Sequence, residues 1–383
     1  MSARRPLRPL RPLLALALVG SLTLSGCSLW GGSSKPQPLQ LGPMEPVLAV
    51  RQAWSNPIGA VGGLPLQVHV QGTQLTLASA SGTVAALDAR TGADVWRTQL
   101  GTPLTAGVGS DGRHAAVVSA NNELIVLEQG REAWRQPLTA QSYTAPLVAG
   151  ARVFVLTADR TLAAYDAASG QRLWRQQRQG EPLVLREAGL LTAVGDTLVA
   201  GVSGRLVGIN PDNGTVRWES LIATSRGTND VERLVELVEP VSRAGNSLCA
   251  RAFQAGVGCV HLGQGNTVWS DKASGATGVA GDEQQLFGTE SNGLVQAWRR
   301  NDGSRTWSYN QLQYRKLTAP LLLGRSVVVG DDAGWVHLLS AQDGQPLNRF
   351  ATDGSGIAAT PVQAGETLVV VTRKGAVYGF RPD

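Results

Sequence analysis

Residues 144–174 read TAPLVAGARVFVLTADRTLAAYDAASGQRLW. Four short segments fit four antiparallel strands: one around 146–148, one around 153–157, one around 161–165, and one that carries Trp174. A turn at Asp159 and Arg160 separates the second from the third. Asp166, Gly170 and Trp174 follow one another at intervals of four. The Gly and its Asp neighbour suit a tight turn that needs positive φ. Short Val, Leu and Ala runs broken by such turns favour strands over helices.

The same unit returns along most of the chain. Trp54, Trp96, Trp134, Trp174, Trp218, Trp269 and Trp307 are spaced 42, 38, 40, 44, 51 and 38 residues apart, and a further step of 41 reaches Asn348. Gly92, Gly130, Gly170, Gly214, Gly265, Gly303 and Gly344 each stand four residues before one of these positions. TAPLLLGRSVVVGDDAGWVHLLS and ATPVQAGETLVVVTRKGAVYGF repeat the strand scheme. Four strands in about 40 residues make a propeller blade, and radial repetition leaves only short edges. The count predicts an all-β, eight-bladed β-propeller of four-stranded antiparallel blades. The last repeat, 358–380, has three strands, and a lone fourth strand around Trp54 precedes the first full blade. The N-terminal strand should therefore pair into the last blade, closing the ring and hiding its edges. Each Trp should pack between blades, burying on the order of 150–250 Å². A sandwich does not explain a period held through eight units.

The N-terminus reads as an export signal. Arg4, Arg5, Arg8 and Arg11 precede the apolar run LLALALVGSLTL at 13–24. That run is of signal-peptide length and short for a membrane span. Leu24-Ser25-Gly26-Cys27 resembles the bacterial lipobox, which implies cleavage at 1–26 and lipidation of Cys27. Ser28 follows where an Asp would favour retention at the inner membrane, so the outer membrane is expected. Residues 27–46, rich in Gly, Ser and Pro, read as a flexible tether, and 47–383 as the propeller. Four of the 34 basic residues and none of the 29 acidic ones lie in 1–26. The remainder is close to neutral, which gives no case for nucleic acid. Cys249 and Cys259 flank a hairpin turn near Gln254, in an exported and oxidising context. They are either a disulfide or two buried thiols on neighbouring strands. The four His residues are scattered and show no metal-ligand spacing.

Propellers bind partners through connectors that depart from the repeat average. Most connectors from a Trp position to the next blade take about 7 to 13 residues, but Trp174 to Leu190 takes 16 and Trp218 to Pro240 takes 22. Both join a fourth strand to a first strand and flank one blade, so they should project side by side from one face. The first carries Leu183, Val184 and Leu185 before Arg186; apolar residues beside an Arg suit an interface. The second, TSRGTNDVERLVELVEP, has Val231, Leu234, Val235 and Val238 at helical spacing, with charge from Glu232, Arg233, Glu236 and Glu239. Alternatively, these apolar residues fold back and cap blade edges.

The Asp–Gly–Trp repeat resembles that of quinoprotein-like propellers, shared by PQQ-dependent alcohol dehydrogenases and by the BamB family of outer-membrane β-barrel assembly lipoproteins. Lipobox, tether, length and closure together resemble the BamB family over roughly residues 24–383. The resemblance implies a scaffold of the BAM complex with no catalytic role and no cofactor. Its implied partners are the periplasmic POTRA domains of BamA and, further, unfolded outer-membrane proteins. It is implied to sit on the periplasmic side of the outer membrane, held by its lipid. Within the two connectors it implies contacts from Leu183, Leu185 and Arg186, and from Arg233, Leu234 and Glu236, the last standing where an Asp is usual. The dehydrogenase alternative lacks adjacent cysteines and a clustered acidic set for calcium beside a quinone. An adaptor of another envelope complex is a further alternative. A polysaccharide-binding propeller would need aromatic residues crowded on one face, and the chain has five Tyr and five Phe.

Overall fold

A strand buried on both faces needs a continuous apolar run, whereas a strand at a rim alternates. Each repeat supplies both kinds, and it folds accordingly. A computed structural model describes residues 36–178, 184–224 and 234–383. The export signal and Cys27 lie outside them. Met1–Gln37 is a separate unit, and Pro38–Asp383 carries the propeller. Among the described residues, 32 strands form eight four-stranded antiparallel sheets arranged as a ring. Along the chain, blade 1 spans 69–99, blade 2 104–137, blade 3 147–177, blade 4 191–221, blade 5 237–271, blade 6 279–309 and blade 7 321–351. Blade 8 combines 362–382 with Val50–Pro57.

Blade 3 shows the logic. Arg152–Leu156 and Thr161–Asp166 are almost wholly buried, because blades pack on both of their faces. The fourth strand, Arg172–Gln177, turns Trp174 inward and leaves its other residues exposed. The pairing of third with fourth strand shifts register between Ala164 and Tyr165, just beside the turn. In that turn the amide of Gly170 donates to Asp166 O (2.9 Å), while Asp166 Oδ1 accepts from the Ser169 amide (2.8 Å). The repeated Asp thus caps the turn that the repeated Gly permits.

The Trp and Gly marks turn out to be two halves of one joint. The Trp of each blade lies on the turn Gly of the next: Trp54 on Gly92, Trp96 on Gly130, and so on to Trp307 on Gly344. These seven glycines have φ between 64 and 83°. A Cβ on any of them would come within 2.4–3.0 Å of the Trp. The indole also donates into that turn: Trp54 Nε1 to Ala89 O (2.8 Å), Trp134 to Ala167 O (2.8 Å), Trp174 to Pro211 O (2.8 Å), Trp269 to Arg300 O (2.6 Å) and Trp307 to Ala341 O (2.9 Å).

Val50–Pro57 pairs antiparallel with Ala376–Pro382, from Val50 opposite Pro382 to Pro57 opposite Ala376, so the N-terminal strand closes the ring. This explains Asn348. Blade 8 has no turn between its third and fourth strands, because its fourth strand is Val50–Pro57 from the other end of the propeller, so no turn Gly exists there to receive a Trp. Asn348 Nδ2 donates instead to Leu48 O (2.6 Å), and the Val47 amide to Leu347 O (2.8 Å). Residues 38–46, placed in the tether by sequence, belong to the propeller unit and contact it.

Cys249 and Cys259 stand opposite each other on Ser247–Ala252 and Gly256–His261 and form a disulfide, with Cα atoms 4.0 Å apart. Both are fully buried, and the hairpin turn holds Gln254 at a φ of 50°.

Candidate partner-binding site

Two fourth-to-first-strand connectors flank blade 4, one joining it to blade 3 and the other to blade 5. They leave the same face and are tied together at their bases. Gly189 bridges Val238, and the Glu239 amide donates to Ala188 O (3.0 Å). Leu190, Ile222, Val235 and Leu237 share one apolar cluster beneath them. Burying these residues anchors each connector, so its remaining side chains need not be floppy.

Above that floor, the side chains expected at an interface separate into two groups. Leu185 and Leu234, one from each connector, are partly exposed and line the same groove of about 1080 Å³. Val235, Phe253 and Trp298 also line it. Arg186 is exposed, with its guanidinium 6.0 Å from the centre of the Tyr143 ring. A guanidinium over an aromatic face is held in place while its charge stays available. Leu183 and Arg233 lie outside the described residues.

Glu236 points the other way. Its carboxylate pairs with Arg160 of blade 3 at 2.9 Å, and both side chains are largely buried. Burial pushes the Glu236 carboxyl up, with Arg160 pulling against it. The acid is taken up inside the protein, where it fixes the second connector against blade 3. Glu236→Gln weakens a buried charge-assisted bond and should cost about 1–3 kcal/mol. A shift of the urea midpoint at constant slope reads this directly; an unchanged midpoint would deny Glu236 the anchoring task.

Glu239, adjacent in sequence to the same acidic stretch, is also absent from the rim. It accepts the Leu191 amide at 2.9 Å and a hydrogen bond from Gln67 Nε2. Gln67 stands just ahead of blade 1, and its amide donates to Gly107 O on the first strand of blade 2 (2.9 Å). Glu239 is on the first strand of blade 5, and blades 2 and 5 are not neighbours, so this contact crosses the central channel. Burial drives the Glu239 carboxyl up to about 7, offset in part by those two hydrogen bonds.

Tyr143 was not legible as a site residue. It lies in the connector from blade 2 to blade 3, which has ordinary length, and only the fold sets it beneath Arg186. Among the described residues, no group of three or more His, Cys, Asp or Glu is placed to hold a metal ion.

A family model described as outer membrane protein assembly factor BamB matches residues 80–309. The chain belongs to the BamB family. A relative named outer membrane protein assembly factor BamB in Burkholderia pseudomallei is 37% identical over 348 residues, covering 90% of this chain and 91% of that protein. One of the same name in Bordetella pertussis is 33% identical over 371 residues, covering 96% of each chain. The crystal structure of BamB from Moraxella catarrhalis superimposes with a TM-score of 0.79 at 24% identity, over 87% of this chain and 99% of that one. A quinohemoprotein alcohol dehydrogenase from Comamonas testosteroni reaches 0.66 at 14% identity, over 87% of this chain and 76% of that one, which is a likeness of fold. The ring architecture thus occurs in both groups, and the fold alone does not set the function.

Proposed function

We propose that this chain is a non-catalytic scaffold lipoprotein of the outer-membrane β-barrel assembly complex. It holds the periplasmic POTRA domains of BamA through the rim built by the two long connectors, and it is held to the periplasmic side of the outer membrane by lipid on Cys27. One observation carries the reading. On one rim, Arg186 from the first connector stands exposed, with Leu185 beside it and Leu234 from the second connector partly exposed, over a floor that is itself buried. A small apolar patch with a positioned Arg is what a hot spot requires. Leu183 and Arg233, which lie outside the described residues, enter the proposal through their places in the sequence alone. The likeness to proteins named assembly factors supports the complex to which it belongs.

The mechanism is positional. A rigid ring presents preformed side chains, so little ordering cost opposes binding. The other blade edges stay free for extended, unfolded outer-membrane proteins, which strand addition would accommodate. Leu185→Asp places a charge in the apolar contact, and Arg186→Glu reverses the sign of the rim. Each should abolish co-purification of BamA from membranes while the circular dichroism spectrum and melting profile stay unchanged. Undiminished capture by both variants would remove the rim from the interface. Capture of a different envelope complex by the unmodified protein would favour an adaptor role instead.

A further inference from the structure

Arg315 is a nearly buried cation far from the proposed rim. Its Nη1 donates to Asp331 Oδ2 at 3.0 Å. Asp331 has no exposed surface. It also faces His337 Nε2 at 3.1 Å, and its Oδ1 accepts the amides of Ala333 and Trp335, both at 2.9 Å. A carboxylate so supported is an anchor for the guanidinium. The other end of Arg315 reaches the N-terminal segment: Nη2 donates to Leu39 O at 3.0 Å. The Leu39 amide in turn donates to Gln313 O (3.0 Å), and Leu41 packs on the apolar cluster between blades 6 and 7. Arg349, with its guanidinium 5.1 Å from the centre of the Trp335 ring, donates to Gly42 O at 2.8 Å. Val47 and Leu48 then fill the place of the missing turn beside Asn348.

We infer that residues 38–48 are a fixed strap on blade 7, which completes the eighth joint and makes the lipid-bearing N-terminus leave from the connector face. Gln313 and Arg315 lie in the connector from blade 6 to blade 7. That is the face from which the two long connectors also rise. The inference rests on the reading of Cys27 as the lipidated residue for its membrane part, but the strap itself does not. Pro38 is eleven positions after Cys27, a reach of about 40 Å at full extension. Released to the start of the closing strand, the segment would reach about 80 Å. The strap therefore halves the distance over which the anchor can wander from the propeller.

Two measurements on the full-length lipidated protein test this. Hydrogen exchange should show the Leu39 and Val47 amides protected at least tenfold relative to an unstructured peptide. Protection at Leu39 should fall in Arg315→Ala. Leu39→Pro removes one strap bond without touching the buried cluster, so it separates strap loss from misfolding, and thermolysin, which cleaves before apolar residues such as Leu41, should then cut the segment faster. Leu39 and Val47 amides that exchange freely in the unaltered protein would overturn the strap. Spin labels at Ala333→Cys and Asp343→Cys report the two opposite faces of blade 7 in vesicles that contain a nickel-chelating lipid. Stronger relaxation at position 333 is expected; equal relaxation at both would overturn the placement of the anchor. Capture of BamA by the unlipidated protein runs independently, so failure of the rim and failure of the strap are told apart.

Discussion

Gly92→Ala is expected to cost about 2–5 kcal/mol of stability, although it adds one methyl group. Two penalties combine at this position. The backbone sits at a φ of 73°, where an L residue costs about 1–2 kcal/mol. The new Cβ would also stand 2.5 Å from the Trp54 ring, which is 8% exposed and hydrogen-bonded to Ala89 O at 2.8 Å. The ring has nowhere to go, so the closing strand must shift. Gly62→Ala is the control, because its φ is 57° and no atom lies within 4 Å of the added carbon. It should carry the backbone penalty alone, about 1–2 kcal/mol. In a Trp54→Ala background the cost of Gly92→Ala should drop to that same level, which makes the difference a coupling energy. Urea midpoints of the four proteins supply the cycle. Equal costs for Gly92→Ala with and without the indole would show that the Trp and Gly do not form a joint.

Glu239→Gln is expected to stabilise the protein at pH 8 by on the order of 3 kcal/mol and to leave it unchanged near pH 4. The carboxyl is pushed to about 7 in the folded protein, from a usual value of 4.5. Below pH 4.5 both folded and unfolded chains carry the proton, and pH has no effect through this group. Between 4.5 and about 7 the unfolded chain releases its proton while the folded chain keeps it, so stability falls as pH rises. Above about 7 both are ionised and the loss is complete. Glutamine supplies an acceptor for the Leu191 amide, and a flipped Gln67 amide can satisfy its second group. Other burial-raised acids, Glu236 among them, cancel when the two proteins are compared. Denaturation curves from pH 4 to 8 decide it: parallel pH profiles for the two proteins would mean that Glu239 is solvated and that the bond across the channel does not hold it.

The bond from Gln67 to Glu239 also bears on what the ring does. It joins the first strand of blade 5, to which the bases of both long connectors are tied, to the segment that runs beside blade 2 into blade 1. The rim is thereby braced from below, as a scaffold needs. A rim that kept its shape only when a partner arrived would lose part of its binding energy to ordering.

The architecture was legible because it repeats. A Trp, a Gly and an Asp at fixed offsets mark the same local event each time, a tight turn followed by an inward-facing ring, and local events need no knowledge of neighbours. Connector lengths are equally local, so the two long ones and their common face followed from counting strands. Three things were not local. Arg251 sits within an apolar-looking strand, and only the ring brings Glu290 of the next blade to 3.0 Å from it and the Trp298 ring to 5.7 Å. Glu236 and Glu239 look like surface acids beside an interface, yet one pairs with Arg160, 76 residues away, and the other with Gln67, 172 residues away. The segment before Val50 has the composition of a free tether, yet its carbonyls meet Arg315 from the connector between blades 6 and 7 and Arg349 from blade 7.

By itself the sequence determined how many blades there are, where each turns, how the circle closes and which connectors stand out, because those follow from periodicity and turn chemistry within about 40 residues. Only the tertiary structure decided which charged side chains stay at the surface and which are spent inside. Their partners lie on other blades, and a pairing between blades leaves no periodic trace in the chain.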